Sequence, residues 1–319
     1  YNIVLKEDAE VLDEVVVVGY GSQKKVNVTG AVGMVGAEAL EARPVANASQ
    51  ALQGVVPGLN LTVGNNGGAL DGTLNMNIRG AGTIGDGSGS SPLVLIDGIE
   101  GDLNTVNPND IESVSVLKDA ASASIYGARA SFGVILVTTK SGKSGKTNVS
   151  YSGSARFSDA IGVPDIMDSY TFAQYFNRAS ANKGGGDIFA PAVMERIKAY
   201  QEGTLKATTV DNGAGIWQKW ANANGDTDWF EEFYDHWAPS QEHNLSINGG
   251  TDKTQYLISG SFLDQKGLMR HGKDKFQRYT LNGKITTAVT DWFKVTYSTK
   301  WTREDFERPS YPTGNFLHN

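Results

Sequence analysis

Read for the alternation of apolar and polar positions, the chain changes character near residue 147. Beyond it, the segments 148–157, 244–249, 256–262, 278–289 and 293–301 alternate with period 2. In the last of these, Phe293, Val295, Tyr297, Thr299 and Trp301 fall on one side and Lys294, Thr296, Ser298 and Lys300 on the other. Successive side chains of a strand point to opposite faces, so each segment is predicted to be a strand with one apolar and one polar face. Strands near ten residues with aromatics toward their ends fit the wall of a membrane-spanning barrel, although a soluble sandwich alternates in the same way. The links are short at 248–253 and 290–291 and long at 158–239 and 264–274, the spacing of an up-and-down meander. A connection as long as 158–239 is too long to be structureless. Helices are therefore expected inside it: one capped by Ser169 with Phe172, Tyr175, Phe176 and Ala179 on one face, and others over 191–201 and 228–235.

Upstream, residues 26–140 read as a small, turn-rich α/β unit. Asn47 is placed as the N-cap of a short helix over 48–53, ended by Gly54 and Pro57-Gly58. Strands are predicted over 59–63, 74–78, 93–96 (closed by the turn pair Asp97-Gly98), 111–117 and 134–139, with a short helix over 119–126 ending at Gly127. Earlier still, Val15, Val16, Val17 and Val18 stand between Asp13-Glu14 and Gly19-Tyr20-Gly21. Four β-branched residues in a row favour extended backbone. Two readings fit it, a buried strand and a detachable strand that adds to the edge of a partner's sheet.

Composition narrows the function classes. With 28 basic against 35 acidic residues and net charge −7, the chain lacks the concentrated basic face that nucleic acid requires. The tightest basic cluster is Lys140, Lys143 and Lys146. Cysteine is absent, which removes disulfides and thiolate chemistry. Glycine, at 38 of 319 residues, is well above its usual share of roughly 7% and concentrates around 64–101, so turns and extended segments are expected there. No run of about 18 apolar residues is present to cross a bilayer as a helix, which leaves a soluble protein or a barrel that crosses with strands.

Chemical motifs point away from catalysis. Gly80-Ala81-Gly82-Thr83-Ile84-Gly85 matches a dinucleotide fingerprint as a string, but Asp86-Gly87-Ser88-Gly89-Ser90-Ser91-Pro92 follows and cannot propagate the helix that such a site needs. Asp86-x-Ser88-x-Ser90 has the form of a divalent-metal adhesion motif without the flanking strand and helix, so a surface loop is the reading. His236, His243, His271 and His318 lack ligand spacing. Glu231-Glu232 is read as the solvated face of an amphipathic helix. No cofactor, metal or enzymatic activity is expected.

Three segments together resemble one family, the SusC-like TonB-dependent outer-membrane transporters. Residues 13–21 (DEVVVVGYG) resemble the TonB box. Asn77-Ile78-Arg79-Gly80 with Pro92-Leu93-Val94-Leu95-Ile96-Asp97-Gly98 resembles core strands of the plug. Residues 111–140 (IESVSVLKDAASASIYGARASFGVILVTTK) are similar to the plug's most distinctive stretch. The resemblance implies an α+β plug domain followed by the first five antiparallel strands of a transmembrane β-barrel of about 22 strands, of the plugged-transporter size. Since five strands alone would expose unpaired edges to lipid, it also implies a longer protein. The implied division is 1–12, the end of a periplasmic domain; 13–25, TonB box and linker; 26–146, plug; and 147–319, first barrel strands with the extracellular loop 158–239. Coupling is expected from Asp13, Glu14, Val15, Val16, Val17, Val18 and Gly19, tethered by the flexible stretch 19–25. Substrate contacts are expected from Asn65, Asn66, Asp71, Asp86, Ser88 and Ser90 in the glycine-rich loops. Expected partners are the inner-membrane transducer TonB, a SusD-like surface lipoprotein, outer-membrane lipid and a glycan or peptide cargo. The lipoprotein or substrate is expected to meet the aromatic-rich 158–239 segment, whose rings otherwise pack its own helices. The implied site of action is the outer membrane, with plug and N-terminus toward the periplasm. The alternatives are an importer of peptides, a siderophore or cobalamin, or a soluble β-rich adhesin.

Overall fold

The computed structural model describes residues 15–18, 21–24, 32–43, 45–63, 70, 72, 74–78, 80, 91–119, 123–161, 163–211 and 213–308, with 15–18 and 21–24 as backbone alone. The predicted strand at the valines is there: β1 (Val15–Val18) pairs antiparallel with β2 (Gly21–Lys24). The expectation of a flexible 19–25 tether is corrected in part, because Gly21–Lys24 folds back as a strand. The hairpin satisfies backbone groups that an isolated strand would leave unpaired.

The N-terminal α/β unit is built on β3 (Val32–Gly36), β4 (Leu59–Val63), β5 (Leu74–Ile78), β6 (Leu93–Ile96), β7 (Ile99–Glu100), β8 (Ile111–Leu117) and β9 (Val134–Thr139). One sheet runs in the order β3-β8-β9-β6-β7, with β6 and β9 parallel and the remaining pairs antiparallel; β4 and β5 make a separate ribbon. The helix Ala48–Leu52 starts as expected, the Asn47 side chain accepting from Gln50 N at 3.0 Å. Leu40, Leu52, Leu103, Val106, Ile111, Val114 and Ile135 are fully enclosed, so this small unit has an apolar core of its own.

One helix prediction is corrected at its end. Of the helix predicted over 119–126, residues 120–122 lie outside the described residues and Ala123 is helical, its N–H donating to Asp119 O at 3.1 Å. From Ser124 to Ala130 the chain forms 3-10 turns, and Gly127 lies inside them at φ +68° where a stop was expected. A left-handed glycine serves as a kink between two tight turns as readily as it serves as a stop. Strand β3, the helix Ala37–Glu41 and the 3-10 turns Leu103–Thr105 and Pro108–Asp110 carried no periodic signal long enough to be read.

The alternating half forms one sheet in sequence order: β10 (Gly145–Ser158), β11 (Ala238–Gly250), β12 (Thr254–Lys266), β13 (Lys275–Thr290) and β14 (Phe293–Glu307). At 13 to 16 residues they outrun both the predicted segments and the roughly 9–11 residues that cross a bilayer. Backbone pairing continues past the point where side-chain alternation stops. The register puts Leu281 opposite Trp301, Ile285 opposite Tyr297 and Phe262 opposite Tyr279 on one face. That face is apolar and open: Val149, Leu245, Ile258, Leu281, Val295 and Trp301 are all exposed. A continuous apolar face of this kind is stable against lipid rather than water.

A second unit comprises 157–238 with 268–273. Its helices are Ser169–Asn182, Pro191–Gln201 and Trp229–Phe233. The N-cap of the first is Asp168, one residue before the predicted Ser169, and it accepts from Thr171 N at 2.9 Å. The buried face is corrected too. Ala173 and Phe176 pack with Phe189, Val193 and Ile197, whereas Phe172 and Tyr175 are exposed. Asn177 selects that face, since its side chain both donates to Phe189 O and accepts from Phe189 N at 2.8 Å.

Candidate functional site

The polar face of the five-stranded sheet turns toward the N-terminal unit, and the buried polar side chains gather where the two meet. Asn107, Ser240, Glu242, Ser259, Arg278 and Thr280 are all buried, Arg278 to 1% exposure. From the N-terminal side the contact is made by the two 3-10 turns. Asp102 caps the first, accepting from Asn104 N at 2.8 Å, and Asn107 caps the second, accepting from Asn109 N at 2.9 Å with Pro108 at the first position. Each side-chain cap holds its turn rigid and leaves carbonyls and side chains aimed at the sheet.

Three posts join the halves. Arg278 of β13 donates from Nη1 to Asn104 O at 3.0 Å and from Nη2 to Ala46 O. Asn107 Nδ2 donates to Asn244 Oδ1 at 2.5 Å and Glu242 Oε1 at 3.3 Å, and Glu242 in turn pairs with Arg156 at 3.2 Å. Asp110 accepts from Ser259 Oγ and from Asn282 Nδ2, both at 2.6 Å. Nearby, Lys284 reaches Asp97 Oδ1 at 3.4 Å and Thr139 O at 3.3 Å. Burial pushes the Asp110 carboxyl above the usual range, against the opposing pull of the Ser259 hydrogen bond and the charges of Lys140, Lys300 and Arg278. Clefts of about 610 and 510 Å³ meet at this post, Asp110, Lys140, Leu257 and Ser259 lining both.

The chemistry is that of a separable contact. The N-terminal unit keeps its apolar core to itself and meets the sheet through hydrogen bonds and ion pairs, which water replaces when the two part. None of the interface residues stood out as chemistry in the sequence. Alternation placed Lys300 on the polar face, but which inward residues meet which turn depends on contacts such as Asp110 with Ser259, 149 residues apart.

The residues expected to carry coupling and cargo are placed as follows. Asp13, Glu14 and Gly19 lie outside the described residues, as do Asn65, Asn66, Asp71, Asp86, Ser88 and Ser90; of Val15, Val16, Val17 and Val18 the backbone is described, as the hairpin strand. The paired acids are exposed, yet each is engaged by a histidine: Glu231 by His236 Nε2 at 2.9 Å and Glu232 by His271 Nε2 at 3.0 Å. His236 Nδ1 faces Asp159 at 3.1 Å, and hydrogen bonds to Glu231 and Asp159 raise its pKa. Among the described residues no group of three His, Asp or Glu side chains converges on a point where a metal ion would sit.

Comparison with known proteins agrees with this geometry. Residues 24–134 match the family TonB-dependent Receptor Plug Domain. The chain is 33% identical over 290 residues to the TonB-dependent receptor SusC of Bacteroides thetaiotaomicron, covering 88% of this chain and 25% of that protein. Among solved structures it is similar to the RagAB peptide importer in its open-open state, with TM-score 0.72, 28% identity, and coverage of 93% of this chain and 33% of that one. The closed-closed state of RagAB gives TM-score 0.70 over 89% of this chain and 31% of that one. The chain spans about a quarter of the length of the curated relatives it matches.

Proposed function

Because this chain belongs to the SusC-like TonB-dependent receptors, a family of transporters and not of enzymes, we propose that it carries the plug and the first wall strands of an active importer in the outer membrane. In this reading 13–25 is the coupling segment, 26–146 the plug, and 147–319 the start of the barrel with its loop 158–239 outside the cell; 1–12 closes a preceding periplasmic domain. The observation that carries it is the polar character of the plug–wall contact. A plug with an apolar core of its own, held by Arg278, Asn107 and Asp110, slides or partly opens without exposing a greasy face.

Energy reaches the outer membrane mechanically, and Val15–Val18 is the point of attachment. Its strand has β2 on one edge, and the other edge adds to a strand of TonB by main-chain hydrogen bonding, with Asp13, Glu14 and Gly19 flanking it. Asn65, Asn66, Asp71, Asp86, Ser88 and Ser90 meet cargo on the outer side of the plug, and a SusD-like lipoprotein closes over the barrel. The cargo we favour is an oligosaccharide. A peptide is the second reading, favoured by the likeness to RagAB.

The test is deletion of 13–19 in the full-length protein. Uptake should fall to background while cargo binding at the cell surface is retained. Undiminished uptake in that deletion removes the coupling assignment.

A further inference from the structure

Within the unit 157–238, Trp217, Trp220, Trp229 and Trp237 are each more than half exposed. Trp220 adopts left-handed backbone at φ +45°, a conformation that bulky side chains avoid. Burial of the ring does not offset that strain, since Trp220 remains 65% exposed. Its position is nevertheless fixed: the indole stands edge-on to Phe176 at 6.5 Å and leans on Phe189 at 5.7 Å. Phe189 is in turn clamped through its backbone by Asn177. A strained, rigid and open aromatic ring is organised before anything binds to it.

Trp220 and Trp229 line a cleft of about 350 Å³, floored by Phe189 and Ile197 and edged by Ser169 and Thr227. That volume is at the small end of ligand-sized pockets. Ile166, Met167 and Phe172 complete an otherwise apolar lining, so the hydroxyls are confined to one edge. Aromatic faces beside the hydroxyls of Ser169 and Thr227 fit a molecule with an apolar face and a polar edge. A pyranose ring has that form, with C–H groups on its faces and hydroxyls around its rim. Two carboxylates stand beside the Ser169 edge, while Arg196 donates to Asn222 O of the tryptophan turn at 3.0 Å. Gln201 bridges Asp168 and Asp226 at 3.0 and 2.8 Å, and Asp226 accepts from Ser169 N at 2.8 Å. Hydrogen bonds from Thr171 hold the Asp168 carboxyl down at about 2, so it is ionised at any physiological pH and repels acidic ligands.

We propose that this cleft is a subsite for a neutral sugar, with one pyranose ring stacked on the exposed indole of Trp220 and its hydroxyls meeting the Ser169–Thr227 edge. It rests on the oligosaccharide reading of the cargo and adds a position and a charge preference to it. The site captures sugar on the long loop.

The experiment uses the full-length protein purified from outer membranes, probed on an array of neutral and uronate oligosaccharides. The neutral oligosaccharide bound best is then titrated by calorimetry against Trp220→Ala, Trp220→Phe and Trp229→Ala. The subsite requires preference for neutral over uronate probes, a loss of about tenfold or more in affinity for each alanine variant, and most of the affinity kept in Trp220→Phe. Wild-type affinity in both alanine variants overturns the subsite and leaves the oligosaccharide reading standing. An array blank for sugars, with a peptide library bound instead, overturns the cargo reading and the subsite with it. Loss of lipoprotein co-purification with sugar affinity unchanged makes the cleft a protein-docking surface and likewise overturns the proposal.

Discussion

Replacing Arg278 by leucine tests whether the plug is held to the wall by its polar posts. The side chain is 1% exposed and donates to the carbonyls of Asn104 and Ala46. Hydrogen bonds to a charged group contribute about 1.5–3 kcal/mol each, so two are worth about 3–6 kcal/mol. Against this, the leucine relieves the desolvation of a buried guanidinium, a cost of several kcal/mol. Glu242 keeps Arg156 as its partner, so the variant does not strand that carboxylate. The net expected loss is about 2–3 kcal/mol, felt by the segments that Arg278 ties down and not by the core sheet. Hydrogen exchange on the full-length protein in detergent reads this directly. At 1.4 kcal/mol per factor of ten, Ala48–Leu52 and Leu103–Thr105 should exchange about 30- to 150-fold faster, with Ile111–Leu117 and Val134–Thr139 unchanged. Arg278→Lys, which keeps the charge but not the fork, should fall between the two. Unchanged exchange at 48–52 and 103–105 in Arg278→Leu refutes the claim that these posts hold the plug.

Two further outcomes follow from local geometry. Gly133 sits at φ +94°, where an added methyl would meet Ile78 Cδ1 at 2.6 Å and the Leu117 carbonyl oxygen at 2.9 Å. Ile78 can swing away and the carbonyl cannot, so Gly133→Ala should destabilise the plug by about 2–3 kcal/mol, read as faster exchange across Val134–Thr139 and lower yield of folded protein. Asp168 caps the helix Ser169–Asn182 with its pKa lowered to about 2, chiefly by hydrogen bonds from Thr171. A depressed acid stabilises the fold above its unfolded pKa, near 3.8, and that contribution is lost as pH falls through about 2. Exchange in the first turn of that helix should therefore accelerate between pH 4 and 2 in the wild type and show no such step in Asp168→Asn.

Local patterning carried a good deal of this structure. The sheet order β10 to β14, the strands Leu93–Ile96, Ile111–Leu117 and Val134–Thr139, and the Asn47 cap all appear where period, turn pairs and cap chemistry place them. The misses share a cause. Short elements such as Val32–Gly36 are held by neighbours distant in sequence and leave no period of their own. The face of helix Ser169–Asn182 was read from its aromatics, yet Asn177 turns it by bonding to Phe189. Hydrophobicity counts residues, whereas a half-buried amide with two partners orients them.

What the sequence determined by itself was the division into a turn-rich α/β unit and a set of two-faced strands, because side-chain alternation is a property of neighbours along one chain. What only the tertiary structure decided was which polar residues become the plug's attachment points. Arg278 and Asp110 look like any other inward charge until strand register and two capped turns bring carbonyls, a hydroxyl and an amide to them across 149 residues or more of chain. Burial then turns that meeting into an obligation, because a charge removed from water must be bonded.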